Sequence, residues 1–146
     1  MTAVSNDALA DPLPRLAPGL TASQAATLVG LGLAFWLAAA LTVRWGWPLG
    51  LFMGGARVAL FALTVPVAVS MIWATVRAAR LRRDQVVAGV ALVSGTAALC
   101  DGVALSWAPN LYGTGADAHL AGAAWILWGF GVGLAASFAA TRLGRP

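Results

Sequence analysis

The sequence predicts an all-α membrane protein, a bundle of four transmembrane helices with both termini on the cytoplasmic side. Three observations lead there. Of the 146 residues, 60% are hydrophobic and only 10% charged, whereas soluble domains carry about 25% charged residues; mean hydropathy is +0.83. The few charges are gathered between four apolar segments, each near the roughly 20 residues that a spanning helix needs. Finally, Arg15, Arg77, Arg80, Arg82, Arg83, Arg142 and Arg145 fall on one side of a four-span map and only Arg44 and Arg57 on the other. An excess of Arg marks the cytoplasmic side. The expected location is therefore the cell's inner (plasma) membrane, crossed several times.

Residues 1–20, with Pro12, Pro14 and Pro18 and no apolar period, read as a mobile polar tail. The membrane domain follows over 21–141. Its first span, about 22–43, lies in a charge-free stretch that runs from Leu16 to Val43. WGWP ends it, because Pro48 disfavours a helical conformation at Trp47. The next segment, LGLFMGGAR, reads either as a short interfacial loop or as the start of the second span, about 56–76, with Pro66 as a kink near its middle. RAARLRRD forms a tight turn whose topology determinants are Arg77, Arg80, Arg82 and Arg83. Asp84 is placed to cap the third span, about 85–107. WAPNLYGTGADAH is a loop with Pro109, Gly113 and Gly115 as turn residues. The fourth span covers about 118–140, and residues 142–146 form a short basic tail.

Asp101 is the anomaly on this map. It lies six residues inside the end of the third span at Trp107, about 9 Å along the axis at 1.5 Å per residue. A carboxylate at the centre of a span costs on the order of 3 kcal/mol, so Asp101 is expected to face the bundle. Ser94, Ala97 and Ala98 share its helical face, and such small residues favour close packing. The expected partner is Arg57, in the first turn of a second helix taken to lie antiparallel beside the third. Ser106 and Tyr112 are candidates for hydrogen-bond support, with Trp45, Trp47, Trp107 and Tyr112 as an aromatic belt. An Arg57–Asp101 ion pair would specify which helices meet. The competing readings make Asp101 an ion or proton site, or a ligand contact.

Catalytic chemistry finds no foothold. His119 and Cys100 are single residues, while zinc sites draw on three or four ligands, so neither a metal nor another cofactor is expected. No GxSxG, HExxH, CxxC or P-loop occurs, and the reading is that the chain is not an enzyme. One cysteine excludes an intramolecular disulfide. In the last span Gly129 and Gly133 make a GxxxG spacing that favours helix packing. Trp125 and Trp128, three apart, can share a face.

The combination of RLRRDQVVAG, LCDG, the W-x-P-N-L-Y element and AAWILWG is similar to a family of small bacterial four-helix integral membrane proteins of unknown function. The likeness spans about residues 57–138 and is carried by Leu99, Asp101, Pro109, Asn110 and Trp128; an acidic residue typical before the middle-loop Arg is missing. The resemblance implies an inner-membrane four-helix protein and no specific activity. The expected function is an accessory or assembly component acting through helix packing. The alternative is a small oligomeric transporter or channel that uses Asp101. Expected partners are the lipid bilayer and either a larger membrane complex or further copies of the chain, and not nucleic acid.

Overall fold

A computed structural model of the chain describes residues 19–143. Residues 1–18, most of the expected polar tail, and 144–146 of the basic tail lie outside the described residues. The four helices are α1 (Ala22–Gly46), α2 (Gly54–Ala78), α3 (Val86–Trp107) and α4 (Ala116–Leu143), and no strand occurs among the described residues. Each is long and apolar enough to cross a membrane. With large apolar side chains such as Leu63, Trp73, Leu99, Val103 and Leu127 facing outward, this is a multi-pass membrane protein organised as a four-helix bundle.

Local chemistry sets the ends. Thr21 caps α1 through a reciprocal pair: its hydroxyl accepts from the Gln24 amide N–H at 3.2 Å, and the Gln24 side chain accepts from the Thr21 N–H at 3.0 Å. At the other end of α1, Trp47 keeps helical dihedrals despite preceding Pro48, and its N–H bonds to Val43. Pro48 ends the helix by lacking an N–H for the next rung, rather than by forcing Trp47 out of the helical region. The LGLFM stretch is a reverse turn, not the start of α2. Gly50 takes φ +75° there and Phe52 folds back into the bundle. The Phe52 ring meets Trp125 edge-on at 5.9 Å.

Asp84 does not cap α3. A short 3-10 turn, Arg83–Gln85, intervenes, and Asp84 pairs instead with Arg82 at 3.0 Å in an exposed ion pair. The polar organiser at this end is Gln85, which is buried. Its side-chain oxygen accepts from the Arg82 N–H at 3.0 Å and from the Gln24 side chain at 3.2 Å. The Gln24 amide also reaches the Ala79 carbonyl at 3.2 Å. One glutamine pair thus ties together the start of α1, the end of α2 and the entry to α3.

The helices do not pack as the sequence suggests. The strongest seam joins α1 to α3, followed by α2 to α4 and α3 to α4; α2 meets α3 only slightly, and α1 and α2, joined by a short turn, touch least of all. Along the α1–α3 seam Leu28 packs with Val93. A Cβ on Gly32 would come within 2.7 Å of the Thr96 side chain and 2.8 Å of the Val93 carbonyl oxygen. Two apolar clusters close the bundle. Leu28, Ala79, Leu81 and Val93 pack at the Gln24–Gln85 end; Ala40, Val43, Phe52, Ala104, Tyr112 and Ile126 pack at the other. Between them the interior is not filled.

Candidate functional site

The buried stripe of α3 runs Val90, Val93, Ala97, Asp101 and Ala104, at spacings of three and four. Asp101 is therefore aimed into the bundle and is 6% exposed. Its Oδ1 accepts a hydrogen bond from the Tyr112 hydroxyl, and that hydroxyl accepts from Trp36 Nε1 at 3.0 Å. An indole N–H only donates and an ionised carboxylate only accepts, so Tyr112 takes a bond from Trp36 and gives its single proton to Asp101.

The backbone sets this up. After α3 a 3-10 turn over Pro109–Tyr112 folds back over the bundle end, and Gly113 at φ +110° reverses the chain into α4. Arg44 anchors the same turn by donating to the Asn110 carbonyl at 2.8 Å. Tyr112 is completely buried as a result, not part of an aromatic belt; the rings exposed at this end are Trp45 and Trp107. Burial, and then the hydrogen bond to Asp101, pushes the Tyr112 phenol well above its ordinary range, so it remains a protonated donor.

Oδ2 of Asp101 is different. It is buried and meets no hydrogen-bond donor among the described residues. Asp101 lies on the wall of a half-open cavity of about 240 Å³ between the helices. Trp36 and Phe35 of α1, Thr64 and Met71 of α2, Ser94 of α3, and Trp125 and Phe130 of α4 share that wall. The lining is mainly apolar and aromatic, with Asp101 as its one carboxylate among the described residues.

The expected Arg57–Asp101 ion pair is not formed. Arg57 is exposed in the first turn of α2, while α3 lies against α1 and α4, so the assumed neighbour relation fails. Ser106 is exposed and bonds to the Gly102 carbonyl of its own helix at 2.7 Å. The small-residue face is also only partly as read. Ala97 is buried and Ser94 lines the cavity, but Ala98 is exposed. Gly129 and Gly133 do not make a close helix contact. Both border the cavity; a Cβ on Gly129 would have Thr64 at 3.7 Å and one on Gly133 would meet nothing within 4 Å. Glycines that admit a neighbour most closely are Gly32, Gly89 (under Leu81) and Gly122, where a Cβ would be 2.6 Å from Val43.

Trp125 and Trp128 both fasten α4 to α2. Trp125 Nε1 donates to the Thr64 hydroxyl at 2.8 Å and Trp128 Nε1 to the Phe61 carbonyl at 3.0 Å. Arg77 lies 4.8 Å from the Trp73 ring centre, and Arg80 takes φ +48° in the turn. His119 faces the Gly113 carbonyl at 3.0 Å. No group of three metal-binding side chains occurs among the described residues.

Sequence reasoning missed Trp36 as a partner in the site. The available signal was its position inside the first span, where an indole N–H must find an acceptor. No family model, curated protein or solved structure matches this chain.

Proposed function

We propose that this protein holds a small molecule inside its membrane domain, with Asp101 as the polar anchor. The observation that carries the reading is the buried, unpartnered Oδ2 of Asp101 on the wall of a cavity of about 240 Å³. A buried polar oxygen without a donor is costly, on the order of 1–3 kcal/mol and more for a charged group. Its neighbour Oδ1 is held by Tyr112, which fixes the carboxyl in place while Oδ2 stays open. A mainly apolar cavity with one convergent polar group is the common form of a small-molecule site. The cavity also has room for a real ligand, since an engineered apolar cavity of about 150 Å³ accepts benzene.

This reading departs from the accessory role acting through helix packing; Gly129 and Gly133, expected to pack helices, border the cavity. It develops the ligand-contact reading of Asp101. The protein belongs in the inner membrane with both termini and the Arg-rich α2–α3 turn on the cytoplasmic side, as its Arg asymmetry favours.

The test is a thermal-shift panel on the purified chain in mild detergent. It uses one-ring molecules that carry a single donor group: alcohols, amides and amines. At least one is expected to raise the melting temperature of the wild type and to lose that effect in Gly133→Leu, which fills the cavity from a position open to it. A panel in which no member stabilises the wild type would overturn the reading.

A further inference from the structure

The occupant's chemistry can be narrowed from the walls of the cavity. Asp101 has no cationic partner among the described residues, because its contacts are Tyr112 at Oδ1 and nothing at Oδ2. A neutral donor would supply a hydrogen bond there but leave the carboxylate's charge uncompensated in an apolar interior. An ammonium supplies both the hydrogen bond and the countercharge, and such charge-assisted bonds are about twice as strong as neutral ones. Rings of Phe35, Trp36, Trp125 and Phe130 surround the remaining space. They offer apolar contact to a hydrocarbon body.

The packing is thinnest between α1 and α2, which touch least of the helix pairs. Phe35, Val67 and Met71 border both the half-open cavity and an open groove on the outside. Pro66, Ser70 and Ala74 complete that outer groove. It lies midway along two helices that cross the membrane, so it faces lipid.

We propose that the ligand is a small amphiphilic amine, its ammonium on Asp101 Oδ2 and its apolar body among the aromatic rings, entering from the bilayer between α1 and α2. The proposal rests on the cavity-ligand reading above and fails separately from it.

Phenethylamine, phenethyl alcohol and ethylbenzene share a body and differ only in the head, so they are the probes. Binding to the full chain in phosphatidylcholine nanodiscs is followed at neutral pH by calorimetry and by the intrinsic fluorescence of Trp36 and Trp125. The amine is expected to bind about ten-fold or more tightly than the alcohol, the factor a charge-assisted hydrogen bond contributes. Asp101→Asn should bring the amine level with the alcohol. Gly133→Leu, which leaves the carboxylate intact, should weaken both by about the same factor through loss of room. Ala74→Phe in the outer groove should slow association of the amine while leaving its equilibrium affinity unchanged.

Equal binding of amine and alcohol to the wild type would overturn the amine assignment and leave a neutral cavity ligand standing. Undiminished amine binding in Gly133→Leu would place the amine outside the cavity and overturn the proposal, even if Asp101→Asn did not fold. An unchanged association rate in Ala74→Phe would overturn the entry route. No binding of any probe would overturn both this proposal and the reading on which it rests.

Discussion

Helix α1 meets α3 and α2 in opposite ways. Against α3 it packs without clearance: Gly32 admits Thr96, Ala40 and Ala104 are buried together, and Trp36 reaches through Tyr112 to Asp101. Against α2 it makes its fewest contacts, and the side chains between them border open space on both sides. In a membrane this contrast carries more weight than in water. Lipid is as apolar as the side chains it would replace, so helices associate through close packing and hydrogen bonds rather than through hydrophobic burial. The α1–α3 seam has both. The α1–α2 seam is held only through the turns and through α4, and it is the natural place for the bundle to open.

Three substitutions sharpen the comparison. The largest effect is expected at Gly32→Leu. Its side chain meets the Val93 backbone oxygen and Thr96, neither of which can yield without separating α1 from α3. The expected loss is about 3 kcal/mol, the upper part of the overpacking range, read from unfolding in mixed SDS and mild detergent. A loss under about 1 kcal/mol there would mean the seam is looser than its geometry.

Next comes Tyr112→Phe, which keeps the ring in its buried place but takes the partner from Trp36 and from Asp101 Oδ1 together. Leaving both unsatisfied should cost about 2 kcal/mol. It should also blue-shift or broaden part of the tryptophan emission, because one indole loses its acceptor. Stability equal to wild type would mean that the pair of bonds contributes nothing net.

The smallest effect is at Gly133→Ala, where the added methyl enters open space bordering the cavity. Helix propensity alone then favours alanine, by up to about 1 kcal/mol. One residue type thus gives opposite signs at two positions, and a loss at Gly133 would show that the cavity is smaller than drawn.

The four membrane-competent helices were legible in the sequence because a lipid-crossing helix leaves a long uncharged run, and Leu16 to Val43 is such a run. That Asp101 faces the bundle was legible for the same reason in reverse. The neighbour order of the helices was not. Short turns at 47–53 and 79–85 permit several arrangements, and sequence adjacency suggested α2 beside α3. The choice is made by contacts far apart in the chain, such as Gln24 with Gln85 and Trp125 with Thr64. Small residues misled as well. On α3 they lie on all sides, with Gly95, Ala98 and Gly102 exposed, so their presence does not mark the packed face. The Arg57–Asp101 pairing followed from that wrong neighbour order, and Tyr112 was found only as a candidate support because its turn folds inward instead of staying at the surface.

The bonds running from Trp36 through Tyr112 to Asp101 have a polarity that bears on charge movement. A hopping proton advances only where each member can take one proton and release another, as a water or a hydroxyl does. Tyr112 meets that condition, but the indole at the far end has a hydrogen and no lone pair to offer. Asp101 is thus linked by this chain to a dead end, a brace rather than a wire. Any traffic at the carboxylate has to arrive on the cavity side.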